Sequence, residues 1–297
     1  MSKPTVVVVG DALIDELRGP EGIREFAGGA ALNVAIGLAV LGVPTTLIAM
    51  VGEDADGETI KRALTRHGVR LIQTVGPNGS SRAVSDRTDG EPRYTFNDAA
   101  RARAVLLDDT ARAALATADL VAISCFPFDN TSQVDHVLSA IPNPEKRLVV
   151  DPNPRMGMMH DLATFRTNFE RVASRSLLVK IGDEDSQMLY GLPLEAVRSR
   201  LRERGAGMVL ATAGRHGASL VTSAGLSASE PIAPMPGPVI DTMGAGDATF
   251  SSTIVSILDH GTPVSTVAAH DLLARAMLIA AATSRREGAL LAVPDGR

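Results

Sequence analysis

Short apolar runs rich in β-branched residues recur along the chain at helix-length intervals: Val6 to Val9, Thr46 to Val51, Leu120 to Ser124, Leu148 to Val150, Leu177 to Lys180 and Met208 to Thr212. Their continuous apolar character marks strands buried on both faces. Such strands, separated by helical segments, predict a doubly wound α/β fold: a mostly parallel sheet flanked by helices. Residues 11–27 and 81–98 break the rhythm. In the second segment Arg82-Ala83-Val84-Ser85, the turn Asp89-Gly90 and Tyr94-Thr95-Phe96 predict a hairpin. Both segments are expected to form a small β lid on one large domain, residues 1–297. The C-terminal third turns helical, Ala248 to Leu258 and Val264 to Ala282, with Pro263 placed in a first helical turn.

Composition excludes several functions. The net charge is −5, and the basic residues are scattered, with no stripe to follow a phosphate backbone, so no nucleic-acid partner is expected. No apolar run reaches the roughly 20 residues that span a bilayer, and Met1-Ser2-Lys3-Pro4 runs directly into a strand, so no membrane partner is expected either. Cys125 is the only cysteine, which excludes an intrachain disulfide and suits a buried structural thiol in a reducing, cytoplasmic setting. The six histidines lack metal-ligand spacing.

Chemistry concentrates in Asp241-Thr242-Met243-Gly244-Ala245-Gly246-Asp247, a turn of small residues ahead of the apolar run from Ala248. A helix start offers unpaired N–H groups and partial positive charge, and glycines let an anion approach them. A carboxylate at the edge of this cradle repels phosphate but is placed to take a proton from a hydroxyl attacking it. Gly244, Ala245 and Gly246 read as the anion hole and Asp247 as a general base for phosphoryl transfer to an alcohol. A Gly-rich turn capped by Asp with no chemistry is the alternative for this motif alone.

Further segments extend the pattern: Gly28-Gly29-Ala30-Ala31-Leu32-Asn33, Gly52-Glu53-Asp54-Ala55-Asp56-Gly57, Gly10-Asp11-Ala12-Leu13-Ile14-Asp15, Asp151-Pro152-Asn153-Pro154-Arg155, Thr212-Ala213-Gly214-Arg215-His216-Gly217 and Arg286-Glu287-Gly288-Ala289. With the turn ending at Asp247, they resemble in order and spacing the PfkB, or ribokinase-like, family of carbohydrate kinases, over nearly the whole chain. The resemblance implies an ATP-dependent sugar kinase. It assigns Asp11, Asp15, Gly28, Gly29, Asn33 and Arg155 to the sugar, with Tyr94 and Phe96 lining the lid. Lys180, Thr212, Gly214 and Gly217 fall to the nucleotide. Asp185 is assigned to Mg²⁺ through water, and Asp241, Thr283, Arg286 and Gly288 to a monovalent cation such as K⁺. In some relatives the lids pair, which raises a homodimer here. Many relatives carry an Asn three residues before an acidic residue that organises magnesium; those positions are Gly182 and Asp185 here.

The segments around Asp11 and Asp151 resemble fructokinases and 2-keto-3-deoxygluconate kinases more than nucleoside kinases. A sugar acid calls for an arginine fork. The lid position that often supplies one in such relatives is Asp98 here, which favours a neutral sugar, fructose or ribose, although Arg93, Arg101 and Arg103 lie nearby. A sugar- and nucleotide-binding sensor without turnover is the reading from another class. A nicotinamide oxidoreductase would want a Gly-x-Gly-x-x-Gly turn after the first strand, which this chain lacks.

Overall fold

The computed structural model describes residues 3–19, 22–86 and 93–294. Among the described residues thirteen strands form two sheets: β1 (Val6–Gly10), β2 (Leu13–Gly19), β3 (Gly22–Gly28), β4 (Thr45–Val51), β5 (Arg70–Val75), β6 (Ser81–Asp86), β7 (Arg93–Phe96), β8 (Leu120–Ser124), β9 (Leu148–Asp151), β10 (Leu178–Gly182), β11 (Met208–Thr212), β12 (Ala218–Thr222) and β13 (Ser227–Glu230). The large sheet runs β13-β12-β11-β10-β9-β8-β1-β4-β5, parallel except at the antiparallel β11–β12–β13 end. The apolar runs named above are its central strands. Three strands escaped the sequence reading: β5, whose alternating burial marks a one-sided edge, and the short β12 and β13.

Alternation along β1 shows why such strands are apolar throughout. Val6 and Val8 enter one core and Val7 and Val9 the other. Helices Ala30–Val40, Ala55–Arg66, Ala245–His260 and Thr266–Thr283 pack on the first face, and Asp109–Thr117, Thr131–Ala140, Leu162–Ala173 and Leu194–Glu203 on the second. Phe128 centres the second core, edge-on to Phe126, Phe165 and Phe169 at 5.3–5.7 Å. The helix Thr266–Thr283 is long and apolar enough to cross a membrane, but it packs inside the protein against the helix Ala245–His260 and strands β12 and β13. It starts three residues after Pro263, with Ser265 Oγ accepting from the Ala268 amide, so Pro263 stands outside the first turn expected for it.

The chain builds β1, β4 and β5 in one direction and then crosses to β8 on the other flank of β1. Ligands in open α/β sheets bind outside the strand ends where the order reverses, and the β1–β8 boundary is that place. A second, four-stranded sheet, β3-β2-β6-β7, stands beside it, built from the two segments that broke the sequence rhythm. The turn Asp89-Gly90 lies outside the described residues.

The β1–β8 boundary has no spare room. A Cβ on Gly10 would lie 1.8 Å from the Ser124 carbonyl oxygen on the neighbouring strand. Gly10→Ala is expected to destabilise the protein by about 1–3 kcal/mol or more, whereas Gly19→Ala, with nothing within 4 Å of the added carbon, should stay within about 0.5 kcal/mol. Urea unfolding of both variants checks the contrast.

Candidate active site

Two helix starts meet at the carboxyl edge of the sheet. The helix Ala30–Val40 begins at Gly29, which has no side chain to cap it; Asp11, just past β1, supplies the cap, its Oδ1 accepting from the Ala31 amide at 2.9 Å. The helix Ala245–His260 begins at Gly244, left-handed at φ 75°, where a Cβ would lie 1.9 Å from the Ala289 carbonyl oxygen. Glycine is required there on both counts. The Ala245 amide donates to the Thr242 carbonyl at 3.3 Å, and the first helical bond runs from Ala248 to Gly244. Of the expected Gly244–Gly246 set, the Ala245 amide is engaged in this way, which leaves those of Gly244 and Gly246, with that of Asp247, for an anion.

Asp247 is buried in this first turn. Asn33 Nδ2 donates to its Oδ2 at 2.9 Å and Asn153 Nδ2 reaches its Oδ1 at 3.5 Å. The Oδ1 of Asn33 is buried with no hydrogen-bond partner, an acceptor available to a ligand hydroxyl. Burial pushes the Asp247 carboxyl up to about 7; the Asn33 bond opposes the rise, the charge of Asp151 adds to it, and Lys180 and Arg155 oppose it. Asp15 is likewise raised to about 7, by burial and then by the neighbouring Asp11. Asp11 is itself raised by burial against the Ala31 amide, Arg103, Arg155 and the Cys125 thiol.

Gly28 and Gly29 make room for these carboxyls. A Cβ on Gly28 would lie 2.0 Å from Asp15 Oδ2, and one on Gly29, at φ 102°, 3.2 Å from Asp11 Cγ and Ala12 Cα. At both glycines the direction a side chain would take is thus occupied by one of the protein's own acids. Arg155, after β9, is close enough to Asp11, Asp15, Asp151 and Asp247 to favour their charged forms. Phe96 is buried against Gly157, whose Cβ would meet its ring at 2.4 Å, and it packs with Leu13, Ala83, Cys125 and Met158. Tyr94, two positions earlier, is exposed.

Lys180 is a buried ion-pair partner. Its Nζ lies 2.9 Å from Asp151 Oδ2 and 3.9 Å from Asp185 Oδ2, and a Cβ on Gly246 would come within 3.3 Å of it. Burial alone would lower its pKa; Asp151, Asp185 and Asp247 overcome that and hold it charged beside the free amides. Thr212 ends β11 next to Gly182. Gly214, at φ 49°, faces open space, whereas Gly217 serves the turn, since a Cβ there would lie 2.1 Å from the Glu230 carbonyl oxygen.

Asp185 caps its own helix by accepting from the Gly182 amide at 2.8 Å. The buried Asp151 Oδ1 beside this group has no hydrogen-bond partner. Among the described residues no three His, Cys, Asp or Glu side chains are arranged to hold a metal directly. Few protein carboxylates and a free oxygen fit Mg²⁺, which retains several waters. The residues expected at a monovalent cation do converge: Asp241 accepts from Met243 and Gly288 amides at 3.0 and 3.3 Å and donates its own to Ser284, while the Arg286 amide donates to Thr283.

Asp151, Asn153 and Cys125 belong to this site and were not singled out from sequence. Asn153 and Cys125 follow β9 and β8 with positive φ of 37° and 47°, the strained strand-end backbone that marks functional sites. Asn153 stood in a segment already noted; its strained position follows from the fold alone.

Fold and site together define a phosphotransferase that acts on a hydroxyl group. Residues 3–295 match the model of the pfkB family of carbohydrate kinases. A fructokinase of Rhizobium leguminosarum bv. trifolii is 30% identical over 278 residues, covering 85% of this chain and 79% of its own. The aminoimidazole riboside kinase structure from Salmonella enterica, complexed with aminoimidazole riboside and an ATP analogue, superposes with a TM-score of 0.78 at 20% identity, covering 98% of this chain and 96% of that one. The fructokinase of Vibrio cholerae O395, in a form with fructose, ADP and calcium ion, gives 0.77 at 20%, covering 98% and 96%. The chain belongs to the pfkB family of carbohydrate kinases. It is a sugar kinase, transferring phosphate to a sugar hydroxyl.

The raised carboxyls also govern stability. Between about pH 4 and 7 the folded protein holds protons on Asp15 and Asp247 that the unfolded chain has released, so rising pH through that window lowers stability. Asp247→Asn should therefore melt higher than the wild type at pH 8 in the absence of ligands, with the gap closing towards pH 4. Calorimetry across this range tests it.

Proposed function

We propose that the protein transfers the γ-phosphoryl group of ATP to a primary hydroxyl of a small neutral sugar, fructose first and ribose second. The observation that carries this reading is Asp247: a buried carboxyl raised to about 7, held by Asn33, one residue from free helix-start amides and a buried lysine. Asp11, Asp15 and the unpartnered Asn33 Oδ1 take the sugar's hydroxyls. As the sugar oxygen bonds to phosphorus and the bond to ADP breaks, its proton passes to Asp247. The Gly246 and Asp247 amides and Lys180 hold the charge on the transferring group. Asp151 and Asp185 would hold the Mg²⁺ of Mg·ATP, which would supply further charge neutralisation. A monovalent cation beside that loop would be held mainly by backbone carbonyls, with Asp241 already fixed by the Met243 and Gly288 amides.

The adenosine end of ATP is assigned to a cavity of about 660 Å³ bounded by Ala233, His260, Asp271, Arg275 and Leu278. Its near wall, Leu278, stands five positions before Thr283, about 7.5 Å of helix from the cradle loop, a span ATP can bridge. Gly214 leaves the approach from β11 open. The sheet of β2, β3, β6 and β7 acts as a lid that excludes water from the transfer.

A neutral sugar is favoured because Asp98 on the lid is matched with Arg101 and its side chain is 86% exposed. A sugar acid such as 2-keto-3-deoxygluconate is the second reading, since Arg103 and Arg155 both bear on Asp11.

ADP release should be measured with Mg·ATP across fructose, ribose, 2-keto-3-deoxygluconate and adenosine. One neutral sugar should dominate, and Asp247→Asn should lower kcat by about 10²–10⁴-fold with sugar and ATP still bound. Sugar and ATP binding without turnover by the wild type would replace the kinase reading with that of a sensor. The wild-type kcat/KM should rise with pH through about 7 as Asp247 loses its proton.

A further inference from the structure

Hydroxyl side chains recur along the helix Ala245–His260, and inside a helix such groups bond back to the carbonyl one turn earlier when nothing better is near. Thr249, Ser251 and Thr253 do so, to the carbonyls of Ala245, Asp247 and Thr249 at 2.8–2.9 Å. Ser256 does not. Its side chain is buried, and its Oγ has no hydrogen-bond partner. A buried hydroxyl left unpaired costs stability that alanine at the same place would not lose. Such a group calls for a partner, and here the chain supplies none.

Ser124 and Ser186 are unpaired as well, but of the three it is Ser256 that lines the cavity of about 660 Å³ bounded by the helices Ala245–His260 and Thr266–Thr283 and the loop between them. Ala268, Leu272 and Leu278 give this cavity apolar walls. The other polar side chains of the lining, His260, Thr262, Asp271 and Arg275, are exposed, where water competes for their hydrogen bonds. Ser256 is the buried polar group of an apolar slot, the arrangement by which ligand cavities fix orientation.

Distance from the cradle decides which part of a nucleotide meets it. Ser256 stands ten residues after Gly246 on one helix, about 15 Å along its axis. An extended nucleoside triphosphate with its terminal phosphate at Gly246 spends that length on phosphates and ribose and arrives at Ser256 with its base. A two-ring base reaches further than a one-ring base. We infer that Ser256 is a specificity-determining residue for the phosphoryl donor: its hydroxyl hydrogen-bonds a ring nitrogen at the far edge of a purine, an edge that a pyrimidine seated on the same phosphates does not bring within reach.

This inference deepens the kinase reading and rests on it for its kinetic test. Ser256→Ala without nucleotide should unfold at the wild-type temperature or above, since no internal bond is lost; a lower temperature shows that the hydroxyl serves the fold and overturns the inference. Calorimetric titration with Mg·ATP should give a dissociation constant raised by about two- to ten-fold, the factor for one hydrogen bond. With Mg·UTP the two proteins should bind alike. In turnover the ATP KM should rise by the same factor, with kcat and the sugar KM little changed. Equal ATP affinities, or an equal loss with UTP, overturn the assignment. Among ATP analogues with one ring nitrogen replaced by carbon, one should bind wild type and Ser256→Ala equally and so name the atom contacted; a loss of the same size with every analogue overturns the contact. Absence of sugar-dependent ADP release in the wild type defeats the kinase reading while the titration still decides Ser256, and a wild type that binds no nucleotide defeats both.

Discussion

The hydrogen bond from Asn33 to Asp247 joins residues 214 positions apart, and the site depends on it. It can form only because two helices approach closely. Gly37 faces Ser251, where a Cβ would lie 2.9 Å from the serine oxygen, and Ser251 Oγ donates back to the Asp247 carbonyl at 2.8 Å. A larger residue at Gly37 would push the helices apart and with them the carboxyl from its amide. The pair also joins two functions, since the helix carrying Asn33 is capped by Asp11 and the helix carrying Asp247 presents the free amides. On the proposed reading, the sugar side and the phosphate side are thereby set relative to one another by helix packing and this hydrogen bond.

Charge is the second constraint. Asp11, Asp15, Asp151 and Asp247 lie close together in a dry crevice with Lys180 and Arg155 among them. Each carboxyl is raised by burial, and the cations keep the group from becoming wholly neutral. Carboxyls raised by burial cost stability above their unfolded pKa, and the same rise brings Asp247 into the range where a base takes and returns a proton near neutrality. On the proposed reading, stability is given up where the proton transfer needs it.

Much of this was legible in the sequence. Apolar strands announced the sheet because a parallel strand covered on both sides has no polar positions to lose. The helix start at Asp247 announced itself through glycines that only a left-handed turn and a close backbone approach require. What stayed hidden was contact between distant segments. Lys180 read as a strand end that could reach a nucleotide, but its partner Asp151 ends the neighbouring strand, and adjacency in a sheet is invisible along the chain. Gly28 and Gly29 read as room for a ligand, and the sequence did not show that Asp15 and Asp11 pack where their side chains would stand. β5, β12 and β13 were missed because edge strands have one wet face and no continuous apolar run. Pro263 lost the first helical turn to Ser265, whose hydroxyl is the better cap.

The carbonyl of Ala289 behind Gly244 has a consequence for how the protein matures during synthesis. β1, at the heart of the sheet, is made well before its neighbour β8 and stays unflanked on one side until residues 120–124 arrive. The cradle is made later than these strands and has no back wall until residue 289 has left the ribosome. A nascent chain can therefore bury most of its core, domain-like, long before it can grip a phosphate. On the proposed reading, a growing chain therefore holds no formed phosphate-transfer site while its strands are still finding their neighbours.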